Sequence, residues 1–169
     1  MVLKNQKRHK ILWLLFEHPG KRFTIRQIAR KTGIPPSSVQ RYVGEIRKEG
    51  LMTSENKLAS SQYAKFLKAA FMIDKLFQSG LMDYLDKKLS PSAIIVFGSV
   101  RKGEYDSESD IDLFVETTKE AKAELEEFEK KIGHSIQLFT EKDINDLPPH
   151  LLNNVVNGVK LAGFFKVRK

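Results

Sequence analysis

The stretch Ile94–Glu116, IIVFGSVRKGEYDSESDIDLFVE, decides how the second half of the chain folds. It begins inside the apolar run Ala93–Phe97, which is typical of a buried strand. Gly98 and Ser99 end that run, and a glycine at such a point lets the backbone come close to a ligand. Asp110–Val115 then alternates polar and apolar side chains, which predicts a second strand.

The two aspartates of this second strand, Asp110 and Asp112, lie on one side of it because side chains two residues apart share a face. Their carboxylates would be about 7 Å apart and would repel each other unless a cation lay between them. Such hard oxygen ligands suit Mg²⁺, which normally binds through one or two carboxylates and substrate phosphates. An acidic, solvated turn is the simpler alternative, and the Gly-Ser pair upstream favours a ligand site over it.

A strand, a Gly-Ser turn, ten intervening residues and an Asp-x-Asp pair on a second strand resemble the DNA polymerase beta superfamily, especially its minimal nucleotidyltransferases. The GS-x10-D-x-D spacing is complete from Gly98 to Asp112. The resemblance implies that Asp110 and Asp112 are catalytic and bind Mg²⁺. It also implies that a nucleoside triphosphate, ATP in our reading, is bound by Gly98, Ser99, Lys102 and Ser109.

The third carboxylate of that superfamily lies on a later strand, and here Gln137 takes its expected place. Glutamine offers a carbonyl oxygen but cannot accept a proton, so it cannot be a general base. Three explanations remain open. The domain is a slow transferase, or it is helped by Glu116, His134 or a residue of a partner, or it binds a nucleotide without turning it over.

The net charge of +8 is concentrated in the first third of the chain. Residues 1–60 contain 13 Lys and Arg against 4 Asp and Glu, whereas residues 61–169 contain 16 against 17. Lys and Arg that neutralise phosphates supply most non-specific affinity for DNA. A basic, solvated surface is the alternative, but the excess indicates a nucleic-acid-binding module joined to a nearly neutral one.

Three short helices are predicted within this basic third. The second begins after an N-cap at Thr24 and ends at Gly33, and the third begins at Pro35-Pro36 with apolar side chains at helical spacing. Together with a turn at Glu55-Asn56, this pattern over residues 5–60 resembles the winged helix-turn-helix family. The resemblance implies that double-stranded DNA is contacted by Arg26, Arg30, Lys31, Ser37, Ser38, Gln40, Arg41, Arg47, Lys48 and Lys57. A protein-interaction module of the same shape is the alternative.

Residues 61–88 predict a helical connection that breaks at Ser79-Gly80. Its apolar residues cover more than one helix face, so we expect it to pack against both domains or a second subunit, or else to be a core helix of the second domain. Beyond the two strands, we expect an amphipathic helix over 119–132 with Ala121, Leu125 and Phe128 inward, and an extended segment over 160–167. The expected fold is α/β (α+β), with a winged helix-turn-helix over 1–60, a connection over 61–88 and a nucleotidyltransferase-like mixed sheet with flanking helices over 89–169.

The absence of cysteine excludes disulfides and thiolate metal sites. The sequence shows no apolar stretch long enough for a membrane span, so we expect a cytoplasmic protein with no membrane partner. The expected function is Mg²⁺-dependent transfer of a nucleoside monophosphate to a hydroxyl of a small molecule or of a partner protein, such as a HEPN-type partner. The alternative is a DNA-binding transcriptional regulator with a degenerate nucleotidyltransferase domain used for ligand sensing or dimerisation.

Overall fold

The computed structural model describes residues 6–120 and 122–168 of the chain. The chain divides into two compact units, Met1–Lys68 and Ala69–Lys169. The expected α/β class is confirmed. The helices are α1 Gln6–Glu17, α2 Ile25–Thr32, α3 Pro36–Lys48, α4 Gln62–Gln78, α5 Leu81–Leu89, α6 Gly98–Lys102, α7 Glu126–Ile132 and α8 Pro149–Val156, and the strands are β1 Ala93–Val96, β2 Ile111–Glu116, β3 Ile136–Glu141 and β4 Val159–Gly163.

The first unit contains the predicted helix-turn-helix. Thr24 caps α2 through a capping box, in which its hydroxyl accepts from the Gln27 amide while the Gln27 side chain accepts from the Thr24 amide. Gly33 ends the helix with a left-handed φ of 71°. Helix α2 packs against both α1 and α3, and α3 buries Val39, Tyr42, Val43 and Ile46 as its spacing predicts.

A short β-hairpin follows α3 at the position predicted for the wing. Met52 and Leu58 form an antiparallel bridge, and the Thr53 amide donates to the carbonyl of Lys57 at 2.9 Å. Asn56 occupies the turn with a φ of 57°. Its carbonyl accepts from the Phe23 amide and its side chain from Arg47, so the hairpin is fastened to the start of α2 and to α3.

The second unit is built on a four-stranded mixed sheet with the order β3-β2-β1-β4. Strand β1 lies antiparallel to β2 and to β4, while β2 and β3 are parallel. Both β1 and β2 are buried along almost their whole length, which explains the near-continuous apolar character of the first. One core cluster of this unit contains Ile95, Phe97, Phe114, Ile144, Leu147 and Val155.

Helices α4 and α5 occupy the segment predicted to be helical, and the break between them lies at Ser79-Gly80 as predicted. Gly80 takes a φ of 84° and Ser79 donates its hydroxyl to the carbonyl of Leu76, so the chain turns between the two helices. On α4, one face is buried through Ala64, Leu67, Phe71, Met72 and Leu76. A different face is exposed and carries Tyr63, Phe66 and Phe77.

Two expected elements differ in extent from the structure. The helix expected over 119–132 begins only at Glu126. Before it, the Glu124 amide donates to the distant Tyr84 hydroxyl instead of to a helical carbonyl, and the Lys119 side chain donates to Ser90. Ala121, expected to face inward, lies outside the described residues. The last extended segment is a strand only to Gly163, whose φ of 71° ends β4.

Candidate functional site

The centre of the candidate site is a close contact between Gly98 and Asp112. Strand β1 ends beside β2, and the Phe97 amide donates to the Asp112 carbonyl at 3.0 Å. The next residue, Gly98, has a φ of 64° and turns the chain directly over the Asp112 side chain. A Cβ at Gly98 would lie 1.9 Å from Oδ2 of Asp112, so only glycine fits between the turn and the carboxylate.

The carboxylates of Asp110 and Asp112 form an interacting pair. Asp110 is exposed just before β2, whereas Asp112 is half-buried on the strand, two residues from Phe114 in the core cluster. Burial raises the pKa of the Asp112 carboxyl above its ordinary value, and the charge of Asp110 raises that pKa further. A divalent cation held by both groups would offset both effects, so the pair fits a hard metal such as Mg²⁺.

Gln137 stands beside Asp112 in the sheet. The parallel pairing of β2 and β3 places Asp112 and Gln137 in register, so their side chains share a face on strands about 4.8 Å apart. Gln137 is exposed. Within the described part of the chain, no group of three His, Asp or Glu side chains is placed to hold a metal ion, so the pair Asp110 and Asp112 has no third carboxylate next to it.

The loop between α6 and β2 is held by His134. His134 is 5% exposed, and its Nδ1 lies 2.7 Å from the carbonyl oxygen of Ser109. Because a carbonyl can only accept, the Nδ1 atom carries the proton. The ring also packs edge-on against the buried Tyr105. His134 therefore positions the residue before Asp110, a role that its isolated place in the sequence did not indicate.

Ser109, expected to bind nucleotide, is part of a tight turn. Its hydroxyl lies 2.9 Å from Oδ1 of Asp106, and it accepts from the Asp106 amide at 3.0 Å. Ser99 is half-buried in the first turn of α6, and Lys102 is exposed in its last turn. The fold thus brings Gly98 to Asp112, with Ser99 next to it in the chain, while the Ser109 hydroxyl already has a structural bond.

Glu116 is too far along β2 to complete the site. It lies four residues beyond Asp112, which is about 13 Å along a strand. Its carboxylate accepts from the Ser92 hydroxyl and from the Ile144 amide, at 2.5 and 2.8 Å. Glu116 therefore fastens the far end of the sheet, and sequence reasoning missed this structural role because Ser92 and Ile144 are distant in the chain.

The residues expected to contact DNA are mostly on the surface of the first unit. On α3, Ser37, Gln40 and Arg41 are exposed and Ser38 is half-buried. The apolar side chains of α3 point inward. The cations Arg26, Arg30, Lys31, Arg47 and Lys48 are exposed as well. Two of the expected contacts have partners in the hairpin: Arg47 donates to Asn56, and Lys57 forms an ion pair with Glu55.

Two family models match the chain. Residues 79–160 match a nucleotidyltransferase domain, and residues 4–51 match a winged helix-turn-helix DNA-binding domain. The fused architecture that the two resemblances indicate is therefore confirmed. No curated protein and no solved structure gave a match. No helix in the described residues is both long and apolar enough to cross a membrane.

We expect Gly98→Ala to weaken binding of Mn²⁺, used as a probe for Mg²⁺, by at least tenfold. The added methyl group would collide with Asp112, and a left-handed φ costs a residue other than glycine about 1–2 kcal/mol. Electron paramagnetic resonance of free Mn²⁺ measures the affinity. Gly20→Ala is the matched control, because no atom lies within 4 Å of its added Cβ. Equal Mn²⁺ affinity for both variants would contradict this account of the site.

Proposed function

We propose that the nucleotidyltransferase domain of this chain transfers a nucleoside monophosphate, AMP from ATP, to an acceptor hydroxyl, and that its winged helix-turn-helix domain binds double-stranded DNA. The observation that carries the first part is the contact of Gly98 with Asp112. It brings the Gly-Ser turn against one member of the carboxylate pair. A nucleotide with its metal needs a turn that can bind phosphate and carboxylates that can bind a divalent cation. The Gly-Ser turn and the carboxylate pair would supply these two components.

The proposed roles follow from where the side chains lie. Asp110 and Asp112 would hold Mg²⁺, which when bound would neutralise phosphate charge and polarise the phosphoryl oxygens. Gly98 and Ser99 would bind the triphosphate from the end of β1, and the exposed Lys102 would add a positive charge beside it. His134 would keep Asp110 in place through the Ser109 carbonyl.

The proposed partners follow from the same site. Gln137 leaves the proton of the acceptor hydroxyl without an evident base in this chain, so an acceptor that brings its own base fits best. We propose a HEPN-type partner protein as one candidate acceptor and a small molecule as the other. We also place a second copy of the chain among the partners, and the cytoplasm as the compartment.

Incubation with ATP labelled at the α-phosphate, Mg²⁺ and candidate acceptors tests the transfer. We expect label to pass to an acceptor, and Asp110→Asn to reduce the transfer rate by roughly 10²-fold or more, because one of two metal-binding carboxylates loses its charge. Asp83→Asn is the control, since it removes another exposed carboxylate, on α5 and outside the proposed site. If label transfer persisted unchanged in the Asp110→Asn protein, the assignment would fail.

A second candidate function is a DNA-binding regulator whose nucleotidyltransferase domain senses a nucleotide without turning it over. The specific observation in its favour is the register of Gln137 with Asp112. This position is the one from which a carboxylate could share a metal with Asp112 and accept a proton. Compared with a glutamate at this position, glutamine keeps the size and an oxygen ligand but has neither the negative charge nor the basicity.

The substitution Gln137→Asp separates the two candidates. We expect it to raise the rate of label transfer about 10²-fold, which is typical of an added general base. Gln137→Asn keeps an amide at this position and is the control that should leave the rate unchanged. A wild-type chain that binds ATP and Mg²⁺ and transfers label only after Gln137→Asp would favour the sensor. A Gln137→Asp protein no faster than wild type would show that Gln137 does not limit the reaction.

For the first domain, we expect retardation of duplex DNA to weaken as salt increases, and Arg41→Ala to weaken it further by roughly three- to tenfold. Arg41 is exposed near the start of α3, the helix that would enter the major groove. Lys10→Ala removes the same charge from the exposed part of α1 and serves as the control. An Arg41→Ala protein that retards DNA as strongly as the Lys10→Ala protein would contradict the assignment of α3.

A further inference from the structure

The negative charge beside Asp112 is limited. Asp112 is half-buried on β2, Asp110 is exposed just before the strand, and Gln137 is exposed in register with Asp112 on β3. Among residues 6–120 and 122–168, no three His, Asp or Glu side chains are placed together for a metal ion. The site therefore offers a cation two carboxylates and one neutral amide oxygen.

The acidic loop before β2 is held by bonds of its own. Oδ1 of Asp106 accepts from the Glu108 amide at 3.1 Å and lies 2.9 Å from the Ser109 hydroxyl. Glu108 is exposed in the same turn. Neither carboxylate belongs to a group of three acidic or His side chains in the described part of the chain, so the charge of the site rests on Asp110 and Asp112.

Two carboxylates are enough for one divalent cation. Mg²⁺ normally binds through one or two carboxylates together with substrate phosphates and water, in a near-octahedral arrangement. If Asp110 and Asp112 each give one oxygen, about four positions remain for phosphate oxygens and water. The charge of the carboxylate pair then balances the charge of the ion.

A second cation would lack both ligands and compensating charge. The ions of a two-metal site lie about 3.5–4 Å apart, and two divalent ions repel each other about fourfold more strongly than two single charges at the same distance. Further negative ligands must offset that repulsion. On the strand next to Asp112, Gln137 offers only an uncharged carbonyl oxygen, and its NH₂ group is a donor that a cation repels.

The contact at Gly98 indicates which cation this site can keep. An added Cβ at Gly98 would lie 1.9 Å from Oδ2 of Asp112 and 3.0 Å from its Cγ, so the carboxylate reaches the Gly-Ser turn. A cation held by Asp110 and Asp112 would therefore be at the turn where we propose that the triphosphate binds. Ion and nucleotide would then strengthen each other's binding by the same factor.

We infer that Asp110 and Asp112 hold a single divalent cation together with the nucleotide, and that the neutral Gln137 excludes a second cation. This inference rests on the nucleotide and metal site proposed above and goes beyond it by fixing the number of ions. The two fail differently: a site with two ions contradicts only the inference, whereas a site that binds no ion contradicts the proposed function as well.

Electron paramagnetic resonance of Mn²⁺ bound to the full chain with α,β-methylene ATP counts the ions. This analogue keeps a triphosphate but cannot be cleaved between its α- and β-phosphates. We expect one bound Mn²⁺ per chain, with the hyperfine pattern of an isolated ion. Gln137→Asp should bind two, with the broadened spectrum of coupled ions, because the added carboxylate supplies the missing charge. Gln137→Asn keeps the amide and should bind one.

The outcomes of this measurement are distinct. Gln137 is exposed, so neither replacement disturbs the core. Two coupled Mn²⁺ ions on the wild-type chain would overturn the inference and leave the proposed transfer standing. A Gln137→Asp protein that still binds one ion would also overturn it, since the charge at this position would then not decide the number. A wild-type chain that binds no Mn²⁺ would overturn the metal site itself.

Calorimetric titration with α,β-methylene ATP tests the joint binding of ion and nucleotide. We expect the analogue to bind at least tenfold more tightly with Mn²⁺ than without it, and Asp110→Asn to remove most of this difference. Asp83→Asn, which removes an exposed carboxylate on α5, should retain the difference. Equal affinity of the wild-type chain for the analogue with and without Mn²⁺ would overturn the joint binding.

Discussion

The candidate site depends on a contact that leaves no room for a side chain. Gly98 passes so close to Asp112 that a methyl group would overlap the carboxylate. The contact exists because β1 and β2 are antiparallel neighbours and the Phe97 amide bonds to the Asp112 carbonyl. This pairing places the turn after β1 directly over the Asp112 side chain. The loop that follows must then return to Asp110, and His134 holds its end.

The pairing of β1 with β2 is easier to predict from the sequence than the long-range hydrogen bonds that hold the surrounding loops. The apolar run of β1, the alternation of β2 and the spacing from Gly98 to Asp112 are local patterns, and local patterns report which face a side chain occupies. The cap at Thr24, the helix end at Gly33 and the break at Gly80 were predictable for the same reason, since turn chemistry depends on few residues.

Roles that depend on distant partners could not be predicted in this way. His134 bonds to Ser109 across 25 positions, and Glu116 bonds to Ile144 across 28. No periodicity connects such residues, so in the sequence each is an isolated polar side chain whose role is not determined. The same limit explains the shortened α7: the composition before Glu126 favours helix, but the Glu124 amide donates to the distant Tyr84 hydroxyl instead of to a helical carbonyl. Tertiary contacts outweigh helix propensity there.

In the proposed site, Gln137 would separate the binding of a nucleotide from its turnover. A divalent cation held by Asp110 and Asp112 would need negative charge, which carboxylates can supply. Removal of a proton from an acceptor needs a base, and an amide at Gln137 has none. Because Gln137 is paired with Asp112 on the next strand and not buried, the fold places no packing demand on this position.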